Sequence, residues 1–121
     1  MPAALYRAFV TGSAGSNVLL LYISDTIIAG TDAGTGTYRG EVQRLPNGGI
    51  RGTVELTIAP GTTLVTGGVV PADARSIPIE IDLPPGFDDG KTTVLIRTPL
   101  GPVNARFQKA IDLQGWTTTW T

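Results

Sequence analysis

The stretch Ile50-Arg51-Gly52-Thr53-Val54-Glu55-Leu56-Thr57-Ile58 alternates without a break: even positions carry Ile, Gly, Val, Leu and Ile, odd positions polar or charged side chains. Neighbouring side chains on a strand leave on opposite faces, so this pattern places one face in a core and the other in water. Asn47-Gly48-Gly49 stands just before it, a glycine-rich corner of the kind that supplies positive φ in a hairpin turn. Thr37 to Leu45 reads as a second strand ahead of that corner, and the segment 37–58 becomes one long antiparallel hairpin.

The rest of the chain repeats this grammar. Leu5–Val10, Val18–Ile23 and Thr26–Ala29 read as three strands, separated by the Gly12–Asn17 break and a tight turn at Ser24-Asp25. Gly30 to Gly34 is expected to end the third. After Pro60-Gly61, Thr62–Gly68 reads as an apolar loop and Val70–Arg75 as the one patch able to hold a helical turn. Ile77, Ile79, Ile81 and Leu83 then alternate with Pro78, Glu80 and Asp82, with Pro78 placing that strand near an edge. The loop Pro84–Gly90 leads to two last strands, Thr92–Thr98 and Val103–Ala110. Eight short strands and almost no helix predict a single all-β domain, a small antiparallel up-and-down barrel, because closure removes sheet edges. A β-sandwich is the alternative that strand count alone leaves open. Residues 111–121, with Trp116 and Trp120, read as a tail outside the barrel.

The chemistry available to 121 residues of this composition is narrow. With no cysteine and no histidine, the chain lacks disulfides, thiolate ligands, the commonest metal ligand and the commonest general base. Its two lysines, Lys91 and Lys109, stand in no Ser-x-x-Lys frame. Asp88-Asp89, a pair of carboxylates flanked by glycine, reads as a turn that caps its own backbone. The expectation is a protein that is not an enzyme and carries no cofactor and no metal. Nine basic and ten acidic residues, scattered, form no basic stripe for nucleic acid. The six-residue apolar run Val18–Ile23 is too short for a membrane-spanning helix, and Met1–Leu5 shows no basic region leading into an apolar one. A cytoplasmic location is the corresponding expectation. Arg39 and Glu41 share one strand face and are expected to pair with Arg51 or Glu55, fixing register. Tyr6, Tyr22 and Tyr38 are expected in the barrel wall.

Several of these segments together resemble the GrlR family, small lipocalin-like barrels that act as negative regulators of type III secretion genes. The similar stretches are Leu5-Tyr6-Arg7-Ala8-Phe9, Val18–Ile23, Ile28-Ala29-Gly30-Thr31-Asp32, Tyr38-Arg39-Gly40-Glu41-Val42 and Val103-Asn104-Ala105-Arg106-Phe107. They span residues 5–110 and are glycine corners and aromatic–aliphatic alternations. The resemblance implies a lipocalin-like fold and a regulator that binds another protein. The family's partner-binding acidic loop, however, is replaced here by Gln43-Arg44-Leu45-Pro46-Asn47-Gly48-Gly49, with one arginine and no acid. Arg44, Leu45, Pro46 and Asn47 become the candidate partner loop, for a partner different from the family's.

Val18–Ile23 adds a second candidate surface. It is apolar on both faces, and only one of the sets Val18, Leu20, Tyr22 and Leu19, Leu21, Ile23 can face the core. The sequence does not decide between them. Leu5 and Phe9 with Leu19, Leu21 and Ile23 form the candidate surface for a partner, a homodimer being the expected one. The functional expectation is a protein-interaction module. A carrier of one small apolar ligand is a second reading, opposed by the bulk of Ile50, Val54, Leu56, Ile58, Ile77, Ile79, Ile81 and Leu83, which is expected to fill a small barrel. A structural subunit of an assembly such as a phage or secretion particle is a third, permitted by the Thr62–Gly68 loop and the Trp tail.

Overall fold

A computed structural model of the chain describes residues 3–34, 36–58, 67 and 76–113. Eight strands follow one another: β1 Ala4–Gly12, β2 Gly15–Ile23, β3 Ile27–Asp32, β4 Thr37–Arg44, β5 Ile50–Thr57, β6 Ile77–Leu83, β7 Asp89–Thr98 and β8 Gly101–Asp112. All pair antiparallel in the order β6-β5-β4-β3-β2-β1-β8-β7. Because β8 returns to β1, the meander curls into a nearly closed barrel with its seam between β6 and β7. The expected up-and-down barrel is therefore present and the sandwich is not. The helical turn at 70–75, the loop at 62–68 apart from Gly67, and the Trp116–Thr121 segment lie outside the described residues.

The central hairpin has the register its alternation dictates. Tyr38 faces Leu56, Gly40 faces Val54 and Val42 faces Gly52, all toward the interior, while Arg39–Glu55 and Glu41–Thr53 face out. Its turn is closed by Leu45 N–H to Gly49 O (2.8 Å) and Gly48 N–H to Leu45 O (3.0 Å), with Gly48 at φ 91°. Val54 and Leu56 are buried, whereas Thr53 and Thr57 are exposed. Leu56→Ala is thus expected to lower stability by about 2–5 kcal/mol. Thr57→Ser is expected to cost well under about 0.5 kcal/mol in the same urea titration. Equal losses would place the register one residue off.

Several strands outrun their sequence boundaries. β3 continues through Gly30 to Asp32, because β2 pairs Gly30, Thr31 and Asp32 and β4 pairs the first two. β8 runs to Asp112 and is anchored by Leu113 N–H to Ala3 O (2.9 Å), so residues 111–113 belong to the barrel rather than to a tail. A bulge opposite Leu5 and Tyr6 accommodates the extra β8 residue. The mid-strand glycines are structural: at Gly40 a Cβ would overlap the Thr53 carbonyl oxygen, since the β5 backbone passes closely there. Gly30 and Gly52 hold equivalent inward positions on β3 and β5, a row of the kind that lets a sheet bend around a barrel corner.

Cross-strand charge pairing differs in detail from expectation. Arg39 does stand opposite Glu55. Arg51 lies opposite Gln43 and Asp82, and its guanidinium reaches the Asp82 carboxylate at 3.5 Å, both side chains being more than half exposed. Thr53 Oγ1 donates to Glu80 Oε1 (3.0 Å). Such exposed pairs contribute tenths of a kcal/mol to about 1 kcal/mol.

Candidate functional site: a cup closed at one end

The two ends of the barrel are built differently. At the end bearing the β2–β3, β4–β5 and β6–β7 connections, Ile23, Ile50 and Leu83 are completely buried. Phe87, from the β6–β7 connection, turns inward beneath them. Its ring lies 5.7 Å from that of Tyr6 and 5.5 Å, edge-on, from that of Phe107. Turn hydrogen bonds Phe87 N–H to Pro84 O (3.1 Å) and Asp89 N–H to Gly86 O (3.3 Å) hold the connection in place. This plug was not legible as core, because a lone aromatic in a Pro-Gly-Asp loop carries no strand or helix period. Asp89 caps the same turn as expected, accepting from the Lys91 N–H (2.8 Å), the Thr92 N–H (2.7 Å) and the Thr92 hydroxyl (2.9 Å). The hydrogen bonds from the Thr92 and Lys91 backbone lower its pKa below the ordinary carboxylate value.

The other half of the interior is hollow. A cavity of about 540 Å³ runs inward from the end bearing the β1–β2, β3–β4 and β7–β8 turns. Its deeper wall is aliphatic, with Leu21, Ile28, Val54 and Ile81 among the lining side chains, and Leu19 and Val103 continue it toward the mouth. The expectation that the bulky residues of β5 and β6 fill the barrel is overturned. Ile50 does fill the closed end, but Val54, Leu56, Ile58, Ile77, Ile79, Ile81 and Leu83 instead line the cavity. The physical reason is the opposing wall. Across the barrel from β5, β1 offers the small Ala8, and β8 offers Ala105 between Val103 and Phe107. Large residues on one side and small ones on the other leave a gap.

Polar groups gather at the mouth: Ser16, Asn17, Asp32, Tyr38 and Thr98. Asp32 ties the β3–β4 turn together. Its Oδ1 accepts from the Gly34 N–H (2.8 Å) and the Gly36 N–H (3.1 Å), and its Oδ2 accepts from the Tyr38 hydroxyl (3.0 Å). Burial, and after it the adjacent Asp32 carboxylate, push the Tyr38 hydroxyl well above its ordinary pKa, so the phenol keeps its proton and remains a donor to Asp32. Tyr6 and Tyr38 are interior wall residues as expected. Tyr22 is in the wall as well, on β2, but faces outward, opposite Leu5.

The sequence-derived surfaces fare unevenly. Leu19, Leu21 and Ile23 are buried and point inward, so they cannot belong to an outer partner surface. Register gives the reason: they pair with Ala8, Tyr6 and Ala4, all inward on β1. The outward set is Val18, Leu20 and Tyr22, paired with Phe9, Arg7 and Leu5. Leu5 and Phe9 do lie outside, each half-buried, and the Arg106 guanidinium sits 5.6 Å from the Phe9 ring centre. The loop Arg44, Leu45, Pro46 and Asn47 is a tight turn at the closed end. Arg44 is tucked in, its Nε 3.6 Å from Asp25 Oδ1 and its side chain only 14% exposed, and the Asn47 amide oxygen is taken by the Gly49 N–H (2.9 Å). Only Pro46 and Asn47 of that loop are exposed.

Among the described residues no group of acidic side chains is arranged to hold a metal ion, and no helix is long and apolar enough to cross a membrane. Comparison with known proteins brings no match: no family model, no curated protein and no solved structure aligns with the chain.

Proposed function

We propose that this barrel is a carrier or sensor that holds one small, largely apolar molecule in its cup. The observation that carries the reading is the cavity: about 540 Å³, closed below by Phe87 and walled by aliphatic side chains. Ligand pockets span about 300–1,000 Å³ and pair an apolar wall with a few polar groups at fixed places, the pattern found here. Each methylene moved from water into such a wall contributes about 0.8 kcal/mol before the costs of association. No reaction is assigned to the cup: among the described residues its wall offers neither a nucleophile paired with a base nor a pair of facing carboxylates.

Titration with the uncharged fluorescent probe N-phenyl-1-naphthylamine tests the reading directly. Saturable one-to-one binding is expected, with the blue-shifted, intensified emission of an apolar site. Ala105→Leu, which extends a side chain into the cavity, should weaken it at least about tenfold, the loss of roughly 1.4 kcal/mol, with the far-ultraviolet circular dichroism unchanged. Native mass spectrometry of freshly purified protein should show a co-purifying molecule. A probe that does not bind, or binds equally to Ala105→Leu, overturns the reading.

A second reading, docking onto another protein or a second copy of this chain, has its own support. The outer face over β8, β1, β2 and β3 leaves Val18 (44%), Leu20 (46%), Ile27 (44%) and Ile111 (48%) exposed, and Leu5 and Tyr22 connect them. The opposite face over β4, β5 and β6 carries Arg39, Glu41, Arg51, Glu55, Glu80 and Asp82. Leu95 on β7, beside β8, is exposed as well (51%), and exposed apolar side chains gathered in this way can mark a partner surface. The regulatory role that the GrlR resemblance implies would use this face rather than the β4–β5 loop.

A further inference from the structure

We propose that the molecule held in the cup carries one polar head, seated at the mouth, and that this head is a hydrogen-bond donor, a hydroxyl or an ammonium group, rather than a carboxylate. The inference rests on the carrier reading and follows from how the mouth's hydrogen bonds are already spent. The aliphatic depth of the cavity offers a head no partner, so burial there would leave it unpaired. A polar group must therefore stay with Asp32 and Tyr38, and the rest of the molecule points inward.

Asp32, Tyr38 and Thr98 present acceptors to the mouth. Asp32 Oδ1 has both positions filled by the Gly34 and Gly36 N–H groups, while among the described residues Oδ2 receives the Tyr38 hydroxyl alone. Tyr38 has committed its single proton to Asp32, so its oxygen is left as an acceptor. Thr98 is committed in the same way, its hydroxyl donating to Gly101 O (2.6 Å) and accepting from the Leu100 N–H (3.2 Å). Ser16 and Asn17, at the β1–β2 edge of the mouth, are neutral; the Asn17 amide oxygen already accepts from the Val18 N–H (2.9 Å), so these two residues offer only uncharged donors and no charge to offset Asp32. The only charged side chain among the described lining residues is Asp32, with no lysine or arginine to offset it. A fatty carboxylate would bring a second negative charge beside Asp32 in a partly desolvated place, where like charges repel strongly. A hydroxyl donates to Asp32 Oδ2 or Tyr38 Oη without that penalty, and an ammonium adds charge complementarity.

Three eight-carbon probes that differ only in the head separate the possibilities: 1-octanol, octylamine and octanoate, titrated calorimetrically into the full chain at neutral pH. Octanol and octylamine are expected to bind, with octanoate weaker by at least about tenfold. In Asp32→Asn, whose amide oxygen can still accept from Gly34 and Gly36, octanoate should come within about threefold of octanol and octylamine should lose at least about threefold. If Asp32→Asn does not fold, the three affinities of the unaltered chain decide alone. Octanoate binding as tightly as octanol, or affinity ratios unchanged by Asp32→Asn, would overturn the donor-head assignment while leaving the cup a carrier. Failure of all three probes, and of the naphthylamine probe, would remove the carrier reading and this inference with it.

Discussion

Leu21→Glu is expected to leave the chain unfolded at room temperature, while Leu20→Glu, one residue earlier, is expected to fold. The two leucines are chemically identical and adjacent on β2. Leu21 is 4% exposed and points into the cavity wall, whereas Leu20 is 46% exposed and faces out beside Arg7. The first change removes a buried leucine, costing about 2–5 kcal/mol, and adds a carboxylate with no partner in an apolar wall, costing several more. A domain of this size has about 5–15 kcal/mol in total, so the sum meets or exceeds what is available. At Leu20 the carboxylate stays in water and lies near the Arg7 strand position, for a change within about 0.5 kcal/mol. Circular dichroism and urea titration give both values. If the outer face docks a second copy, light scattering should also show Leu20→Glu as a smaller particle than the unaltered protein. Two unfolded variants, or two folded ones, would contradict the assignment of the β2 faces.

Phe87→Ala is expected to lower stability by about 3–5 kcal/mol, an unusual loss for a residue in a connection between strands. Phe87 is 3% exposed, and its ring contacts those of Tyr6 on β1 and Phe107 on β8. It lies in the connection between β6 and β7, which share no ladder, and its ring ties that connection to β1 and β8 through packing. Removing it opens the floor of the cup. The cost should therefore appear in denaturant midpoints and in weaker retention of the naphthylamine probe together. A loss below about 1 kcal/mol would mean that the floor is held by Ile23, Ile50 and Leu83 without it.

The sequence by itself determined the strands and much of their facing. Alternation in Ile50–Ile58 and Ile77–Leu83 placed the inward residues correctly, since a strand with one wet face must expose every second side chain. The glycine corner at 47–49 located the hairpin turn, and eight short alternating runs led to a barrel. Where alternation failed, so did inference. Val18–Ile23 is apolar on both faces, and only pairing with β1, whose Ala4, Tyr6 and Ala8 point inward, decides that Leu19, Leu21 and Ile23 follow them. The hollow interior depends on which residues face one another across the barrel, a relation set by strand order rather than by any local period. Ala8 and Ala105 are small residues that leave room, and their effect exists only across the barrel from larger side chains such as Val54 and Leu56. The pairing of Asp32 with Tyr38 is of the same kind. Six residues apart, they meet because the β3–β4 turn folds one back over the other, and that turn gives the cup its charged mouth.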